Sequence, residues 1–450
     1  MLAGCQSSTG ETPTGTPTAT PTPTQTPTTP TATAAGVDPA ALKDRARSFV
    51  RLLADGEYGS AHDRLTDGTA AQISSEQLGS AWEQRTGPKG AFTGIATAEY
   101  RGQSNGAHVV VLQAAFERGQ QQANVVLTAD GVTGFRLPQG GSYTPPDYVD
   151  RSAFTERTLS LSAPGSCSLG ATLSVPTGSG SVPGVVLVHG NGAQDRDETV
   201  GPNKTFRDLA WGLATNGVAV LRYDKRTHAC DVDLADATID DVVTVDALTA
   251  IDRIREADRV ARDGVFVVGH SIGGTLAPRI ARRDGDLAGV VMLAALARPI
   301  ADAIVDQQRH LLTLDGFSED DEQTMEQVRA LAERIRTLDI PDDRVVNSFG
   351  GDEYYRTLGE YDHLATAASL DVPRLLLQGE RDWQVTVEDD LAMWRSAMGD
   401  QPDVTIRTYP QLTHHFMPGE GEPTRQEYFE PNNVAETVVT DVAQFVKTHA

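Results

Sequence analysis

The segment VFVVGHSIGGTLA, Val265 to Ala277, decides how the second half of the sequence is interpreted. Four apolar residues, as in a short buried strand, lead into Gly-His-Ser-Ile-Gly, and the small residues that follow are typical of a close-packed helix. The pattern Gly-x-Ser-x-Gly places a serine on a tight strand-to-helix turn where only small neighbours fit. The same pattern also occurs in ordinary turns, so other parts of the chain must supply the partners that would make Ser271 a nucleophile.

Strands and helices alternate on both sides of this segment. The strand-like stretches are GVVLVHG, VAVLRYD, LAGVVMLAA, RLLLQGERD and VTIRTYP, and helical stretches such as FRDLAWGLATNG and DDVVTVDALTAIDRIREA separate them. This alternation predicts an α/β fold over residues 153–450, with a mostly parallel sheet covered by helices on both faces. Acidic amphipathic helices at about residues 298–370 interrupt the pattern and predict a lid inserted late in the sheet.

Partners for the serine follow it in the chain. A serine hydroxyl is a weak nucleophile unless a base accepts its proton and a carboxylate orients that base. Asp382 follows the strand LLLQG, and His414 follows the strand TIRTY. Since parallel strands end at one edge of a sheet, Ser271, Asp382 and His414 are expected to meet there. Glu380 and His415 are the alternatives for the acid and the base.

The oxyanion of such a reaction needs two N–H donors. The residue after the nucleophile, Ile272, supplies one. The loop HGNGAQDRD supplies the other, with the amide of Asn191 as the candidate and Gly192 as the alternative. We expect His189 and His270 to hydrogen-bond locally rather than act as bases. Charged residues beside this loop are expected to form scaffolding ion pairs, namely Asp195, Arg196 and Asp197 with Arg222 or Lys225.

The motifs together carry a family resemblance. Residues from about 154 to 449 resemble the serine α/β-hydrolases related to dienelactone hydrolases and to the prolyl-oligopeptidase catalytic domain, through HGNGAQDRDE, NKTFRDLAWGLATNGVAVLRYDKRT, GHSIGG, GERDWQV and HHFMPGEGEPTRQEY. In this resemblance the acid motif Gly-x-x-Asp corresponds to Asp382, and the base motif Asn-His-Leu-Phe aligns with His414. The resemblance implies an esterase, a thioesterase or a peptidase that acts through an acyl-enzyme. We expect hydrolysis of carboxylic esters without a cofactor, and the cysteines lie in no CxxC or His-rich context that would indicate a metal site.

Other functions remain open at this point. A thioesterase or a serine peptidase would use the same residues, although an oligopeptidase would carry a propeller-sized N-terminal domain. A surface binding protein with a degenerate hydrolase domain is a different class of alternative, and the intact order Ser, Asp, His argues against it. Tyr354 and Tyr355 in the insertion are candidates either for an acyl pocket or for ordinary packing.

Residues 37–140 read as a separate small α+β domain. Two helical stretches, DPAALKDRARSFVRLLADGEYGSAHDRL and ISSEQLGSAWEQRTG, precede strand-like sequence from His108 onward, with a hairpin signal at Asp130-Gly131. The stretch resembles the cystatin- or NTF2-like domain of unknown function found ahead of some bacterial hydrolases. It contains no triad and no metal cluster, so packing or spacing is favoured over ligand binding. A linker rich in Pro and Gly, residues 141–152, follows it.

Residues 1–36 are dominated by Thr and Pro and predict a disordered tether. Leu2-Ala3-Gly4-Cys5 resembles a lipobox, which implies lipidation of Cys5 and a cell-surface, extracytoplasmic lipoprotein held to the membrane only by its lipid. No charged and apolar segment precedes this motif, so an accidental match is the alternative. Cys167 and Cys230 are expected either to form a disulfide or to remain separate buried thiols.

The composition restricts the partners. The formal net charge is −24, from 62 acidic and 38 basic residues. Such a charge repels nucleic acid, which leaves a small-molecule ester as the expected partner and no indication of the oligomeric state. A carboxylate-rich, lysine-poor chain is also typical of halophilic proteins.

Overall fold

The computed structural model describes residues 39–104, 107–117, 119–137, 143–163, 167–230, 232–314, 316–340 and 350–450. The predicted tether and Cys5 therefore lie outside the described residues, as does the first part of the predicted linker. Within the described ranges, no helix combines the length and the apolar character needed to cross a bilayer.

The N-terminal part consists of helices packed on an antiparallel sheet. Its elements are α1 (Pro39–Ala54), α2 (Tyr58–His62), α3 (Asp67–Ala70), α4 (Ser75–Thr86), a 3₁₀ turn (Gly87–Lys89), β1 (Phe92–Ser104), β2 (Ala107–Phe116), β3 (Gly119–Leu127) and β4 (Val132–Arg136). The strands lie in the order β1-β2-β3-β4. Alternate residues of β2 are buried, and this face packs with the apolar side of α1 into one core.

Strand β1 was not anticipated from the sequence, where strand-like patterning begins only at His108. The pairing of β1 with β2 changes register at three places, between Phe92 and Gly94, between Ile95 and Thr97 and between Tyr100 and Gly102. Each shift reverses which residues face the core, so the segment never shows a sustained alternation of apolar and polar residues.

The remaining strands form the eight-stranded sheet that positions the site. They are β5 (Phe154–Ser162), β6 (Ser168–Pro176), β7 (Val182–Val188), β10 (Ala219–Tyr223), β11 (Val260–His270), β12 (Gly289–Leu293), β13 (Arg374–Gly379) and β14 (Val404–Tyr409), while β8 (Thr199–Val200) and β9 (Asn203–Lys204) form a small separate ribbon. The order is β14-β13-β12-β11-β7-β10-β6-β5. Strand β6 pairs antiparallel with both of its neighbours, β5 and β10. The other six strands are parallel to one another: β7, β10, β11, β12, β13 and β14.

Helices cover both faces of this sheet. They are α5 (Thr205–Thr215), α6 (Arg226–Ala229), α7 (Val245–Arg255) after a π-helical turn (Asp240–Thr244), α8 (Ile272–Asp284), α13 (Ala392–Met398) after a second π-helical turn (Val387–Leu391), and α14 (Glu436–His449). In β11, Val265 and Val267 join the core under α7 and α8, whereas Phe266 and Val268 join the core under α5 and α14. The continuous apolar run in this strand therefore reflects burial on both faces, as the sequence predicted.

The interruption between β12 and β13 contains four helices among the described residues. They are α9 (Ile300–Thr313), α10 (Glu319–Thr337), α11 (Asp352–Gly359) and α12 (His363–Ala368). They lie directly before β13, the strand that Asp382 follows, and we call them the lid helices. A 3₁₀ turn (Arg425–Phe429) lies later, between β14 and α14.

The described end of the linker is fixed to the sheet domain. The hydroxyl of Tyr143 donates to Asp208 at 2.7 Å, and that of Tyr148 donates to the carbonyl of Val434 at 2.8 Å. Elsewhere in this domain the sulfur atoms of Cys167 and Cys230 are bonded, which joins the start of β6 to the end of α6.

Candidate active site

Ser271 sits on the turn between β11 and α8 in a strained conformation. Its φ is 54° and its ψ is −122°, and its amide donates to the carbonyl of Leu293 at 2.8 Å. Positive φ is uncommon for a residue other than glycine and persists only where surrounding contacts enforce it. The turn directs the serine out of the sheet edge at the N-terminus of α8, where the helix dipole favours negative charge.

Two glycines around the serine are required by close backbone approaches. A Cβ at Gly273 would lie 2.5 Å from the carbonyl oxygen of His189, and closer still to that of Val188. A Cβ at Gly269 would clash in the same way with the carbonyl oxygen of Gly273. The small residues of the motif therefore let helix α8 begin directly against the end of β7.

Asp382 and His414 are in contact. Asp382 follows β13, His414 follows β14, and the carboxylate Oδ2 lies 2.7 Å from the imidazole Nδ1. The other oxygen of Asp382 accepts the backbone amides of Gln384 at 2.8 Å and Val385 at 3.0 Å. The carboxylate is thus anchored by backbone donors and in turn orients the imidazole.

The alternatives are placed differently. Glu380 is exposed, and its amide takes part in the hydrogen bonding of the strand ends. The ring of His415 packs edge-on against Tyr428 and its Nδ1 lies 3.3 Å from the hydroxyl of Thr205. Burial holds the pKa of His415 well below its usual value, so this imidazole is neutral.

The loop that carries His414 is attached to the residue before the serine. The Nε2 of His270 lies 2.9 Å from the backbone carbonyl of His414, and the two ring centroids are 4.7 Å apart. Since Nδ1 of His414 faces Asp382, its Nε2 is the nitrogen left to serve as a base. The structure therefore brings the acid, the base and the serine-bearing turn to one edge of the sheet.

The candidate oxyanion loop lies against the same turn. A Cβ at Gly190 would come 3.2 Å from the Cβ of Ser271, which shows how closely this loop approaches the serine. The side-chain oxygen of Asn191 accepts the hydroxyl of Tyr354 in lid helix α11 at 3.1 Å. The amide of Ile272 lies at the first position of α8. The expected donors thus flank the serine, one from the loop and one from the helix.

Two charged residues hold this loop in place: Glu198, which sequence reasoning did not assign, and Lys225, which it expected only as an ion-pair partner of the charged loop. The amide of Gly190 donates to Glu198 at 2.8 Å, and its carbonyl accepts from the ammonium group of Lys225 at 2.7 Å. Burial lowers the pKa of Lys225 to about 8, opposed by the charge of Glu198. Four charged residues directly after a glycine-rich turn, Asp-Arg-Asp-Glu, were the signal that could have directed attention to Glu198.

The other residues of that charged run form ion pairs. Asp197 lies 3.0 Å from Arg222, and Arg196 lies 2.6 Å from Asp224. Asp195 accepts hydrogen bonds from residues of its own loop, including the amide of Thr199 at 3.0 Å. The pair of Asp197 and Arg222 is one of the predicted scaffolding ion pairs. Arg196 also forms an ion pair, but with Asp224, which was not among the predicted partners.

A cavity of about 800 Å³ lies between the lid helices and the sheet edge. Its apolar lining includes Ile272, Leu296, Ile300, Tyr355, Leu358 and Met393. Ile272 is the residue after the serine, so the cavity begins beside the candidate oxyanion site. Tyr355 lines it, while Tyr354 contacts Asn191 instead.

One group of described side chains is compact enough for a metal ion. Candidate ligand atoms of Glu198, His270 and His415 all lie within 4.8 Å of one another. Glu198 and His270 already face each other, with 3.0 Å between Oε2 and Nδ1, and Lys225 interacts electrostatically with Glu198. A divalent cation there would lie beside the charge of Lys225, which already interacts with this carboxylate. The donor set therefore favours an internal ion pair over a metal site.

Comparisons with known proteins agree with the geometry. Esterase EstD of Thermotoga maritima is 35% identical over 401 residues, which span 88% of this chain and 93% of EstD. Residues 46–132 match a domain family described as a protein of unknown function, DUF3887.

Solved structures show weaker likenesses. Est1E of Butyrivibrio proteoclasticus with bound ferulic acid is 20% identical and has a TM-score of 0.45, covering 65% of this chain and 98% of Est1E. A bacterial brefeldin A esterase is 18% identical with a TM-score of 0.42, covering 69% of this chain and 80% of that one. At these scores the family assignment rests on sequence. Residues 185–426 match the alpha/beta hydrolase family, and with EstD similar over most of its length, the chain belongs to that family.

Proposed function

We propose that this protein hydrolyses carboxylic esters through an acyl-enzyme formed on Ser271. His414 Nε2 accepts the hydroxyl proton as Oγ attacks the ester carbonyl, and Asp382 holds the imidazole through Nδ1. The amides of Ile272 and Asn191 stabilise the oxyanion. The alcohol leaves with the proton from His414, and a water molecule, deprotonated by the same imidazole, then attacks the acyl-enzyme to release the acid and free Ser271.

The observation that carries this proposal is the contact between Asp382 and His414 on a loop attached beside the strained serine turn. An acid–base pair placed next to a serine at a helix N-terminus is the arrangement that activates a hydroxyl for acyl transfer. The esterase name of the relative EstD supports an oxygen ester as the substrate.

The apolar part of the cavity lining supports an apolar acyl group, and charged residues such as Arg298, Arg336 and Glu360 line the rest. Its volume of about 800 Å³ lies in the range of small-molecule sites, and it starts at Ile272, whose amide is a proposed oxyanion donor. A carbonyl bound at that amide would direct its acyl chain between the lid helices. Tyr355 and Met393, which both line the cavity, would contact such a chain.

The test is turnover of p-nitrophenyl esters of increasing chain length by the wild type and by Ser271→Ala. We expect Ser271→Ala to lose at least about 10³-fold in kcat, as for loss of a triad nucleophile. A fluorophosphonate should label Ser271 in the wild type. Ser160→Ala, which changes an exposed serine on β5, should label and turn over like the wild type.

Contrary results would redirect the assignment. Faster turnover of aminoacyl anilides or of acyl thioesters than of matched esters would identify a peptidase or a thioesterase. Ester hydrolysis that persists in Ser271→Ala would show that another group performs the chemistry. Absence of both labelling and turnover would favour a binding protein with a degenerate hydrolase domain.

We also propose that the protein works outside the cytoplasm, attached through a lipid on Cys5. The disulfide between Cys167 and Cys230 supports this location, because disulfides persist mainly in oxidising compartments. The Thr- and Pro-rich residues that follow Cys5 would serve as a spacer. In cells expressing the native gene, the protein should fractionate with membranes, and Cys5→Ala should release it. Recovery of the wild type in the cytosol would contradict the proposal.

A further inference from the structure

A buried carboxylate and a buried imidazole lie directly behind the serine turn, and the reaction as proposed uses neither. Glu198 is 1% exposed and His270 is 2% exposed. A charged group at such burial is strongly disfavoured unless it is paired. Contacts with neighbouring groups must therefore compensate for the burial of each one.

Glu198 connects two elements of the site. Its Oε1 accepts the amide of Gly190 at 2.8 Å, at the start of the oxyanion loop. Its Oε2 lies 3.0 Å from Nδ1 of His270, in the geometry of a close ion pair rather than of a well-aligned hydrogen bond. Glu198 has a φ of 49°, a backbone strain that is retained where surrounding contacts require it.

His270 extends the connection to the base. Its Nε2 lies 2.9 Å from the backbone carbonyl of His414, which can only accept a hydrogen bond. Both ring nitrogens of His270 therefore face acceptors, a carboxylate on one side and a carbonyl on the other. A neutral imidazole carries a single N–H and could serve only one of them, whereas an imidazolium serves both.

The surrounding charges are compatible with an imidazolium. Burial opposes a charge on His270, but the carboxylate of Glu198, the carbonyl of His414 and the charge of Asp382 favour it, and the pKa of His270 is raised overall. Burial alone would raise the pKa of Glu198, but the charge of His270 lowers it to about 2. Of the neighbouring imidazoles, His189 has its pKa lowered to about 4 by burial, and that of His415 is lowered as well.

Two other titratable groups face this pair and affect its charge, Lys225 and His414. Lys225, bonded to the carbonyl of Gly190, brings a second positive charge toward Glu198. His414 approaches His270 ring to ring at 4.7 Å while its Nδ1 faces Asp382. The site thus contains two carboxylates, Glu198 and Asp382, against the charges of Lys225 and His270.

We propose that His270 is an imidazolium at neutral pH which, paired with Glu198, acts as a positioning residue that fixes the oxyanion loop, the serine turn and the base loop relative to one another. The proposal rests on the proposed ester hydrolysis and adds to it two residues that do not touch the substrate. Gly190, Ser271 and His414 are each bonded to, or adjacent to, one member of the pair. Loss of the charge on His270 would free the oxyanion loop and the loop that carries His414 at the same time.

The first experiment measures the charge of His270 directly. Histidine-selective ¹⁵N labelling of the wild type, with His270→Gln used to assign the signal, reports whether both ring nitrogens carry protons. We expect both to be protonated at pH 7 and to remain so until the pH exceeds the raised pKa. A neutral tautomer of His270 at pH 7 would overturn the proposal without any assumption about a variant's folding.

The second experiment measures the effect on catalysis. Glu198→Gln keeps the size of the side chain but removes its charge, so His270 should become neutral at pH 7. We expect kcat at pH 7 to fall about 100-fold, as for removal of an oxyanion donor, with KM changed by less than about threefold. His270→Gln should lose a similar factor, and the double variant should lose no more than either single variant because the two act as one unit.

Asp197→Asn is the matched control. It removes a buried carboxylate from the neighbouring residue, where Asp197 pairs with Arg222 and Lys204 away from the serine turn. This variant should melt at a lower temperature while keeping the wild-type kcat and pH profile. Equal losses of kcat in Asp197→Asn and Glu198→Gln would show that Glu198 only stabilises the fold, and would overturn the positioning role.

The outcomes separate this proposal from the proposed function. Turnover that depends on Ser271 in the wild type but is unchanged in Glu198→Gln and His270→Gln would overturn the positioning role alone. Absence of Ser271-dependent turnover in the wild type would overturn the esterase assignment instead. One equivalent of tightly bound metal in the purified protein, lost in Glu198→Gln, would show that the cluster with His415 is a metal site and would also overturn the proposal.

Discussion

Gly273→Ala tests whether the close approach of α8 to the end of β7 determines the oxyanion site. The Cβ of the alanine would lie 2.5 Å from the carbonyl oxygen of His189, whereas ordinary contacts begin at 3.4 Å. Helix and strand must therefore separate by about 1 Å. The helical backbone of this residue accepts alanine, and helix propensity favours it by about 1 kcal/mol, so the steric conflict is the dominant effect.

The separation would act on catalysis through the two proposed oxyanion donors. The amide of Ile272 belongs to α8 and that of Asn191 follows β7, so moving the two elements apart widens the gap between the donors. A misplacement of about 1 Å can lower a rate by about 100-fold, equivalent to about 3 kcal/mol in the activation barrier. We expect this loss in kcat for p-nitrophenyl esters, with the protein still folded by circular dichroism.

Gly285→Ala provides the control on the same helix. Gly285 ends α8 with a φ of 82° in open space, so alanine there strains the backbone by about 1 kcal/mol without meeting any neighbour. This variant should be less stable than the wild type and fully active. A folded Gly273→Ala enzyme with a kcat within about threefold of wild type would refute the reasoning, because the two elements could then separate without effect on the barrier.

Three further predictions concern stability and the choice of base. Reduction of the Cys167–Cys230 disulfide, which closes a separation of 63 residues, should lower the free energy of unfolding by about 4 kcal/mol in urea titrations; an unchanged midpoint would contradict this. Burial lowers the pKa of His189 to about 4, so its contribution to stability is complete above its unfolded pKa of about 6.5 and is lost as the pH falls from there toward 4. His189→Gln should remove on the order of 3 kcal/mol of that acid destabilisation, and an identical pH slope in both proteins would show that His189 does not titrate in this way. His414→Ala should fall to the activity of Ser271→Ala, whereas His415→Ala should keep activity within about tenfold of wild type; the reverse order would assign the base to His415.

The parallel sheet and the order of the site residues could be predicted because both follow from local patterns. An apolar run such as Val265–Val268 is expected wherever a strand is buried on two faces, and this one is. Residues after successive parallel strands necessarily reach the same edge, which is why Asp382 and His414 could be paired in advance of any coordinates. The α/β-hydrolase assignment was confirmed on this basis.

The charged run after the glycine-rich turn could have drawn attention to Glu198, but its partners could not be predicted, because they come from distant segments. In sequence a glutamate in a charged loop is expected to face solvent. It is buried here because His270 and Lys225, from the ends of β11 and β10, supply the opposite charge. The linker shows the same limit. Its composition indicated only a connection between two domains, whereas the hydroxyls of Tyr143 and Tyr148 donate to acceptors on α5 and before α14.

The arrangement explains why a charged pair is useful at this place in the fold. The oxyanion loop follows β7, the serine follows β11 and the base follows β14, so the sheet positions each only through its own strand end. The loops beyond the strand ends take no part in the hydrogen bonding of the sheet, so contacts between the loops themselves must fix their relative positions. The imidazolium of His270 is bonded to the base loop and is adjacent to Ser271. It also pairs with Glu198, which holds the oxyanion loop. These contacts fix the three loops relative to one another without touching the substrate. The lid helices add a separate contact to the same loop, because the hydroxyl of Tyr354 donates to the side chain of Asn191 at 3.1 Å.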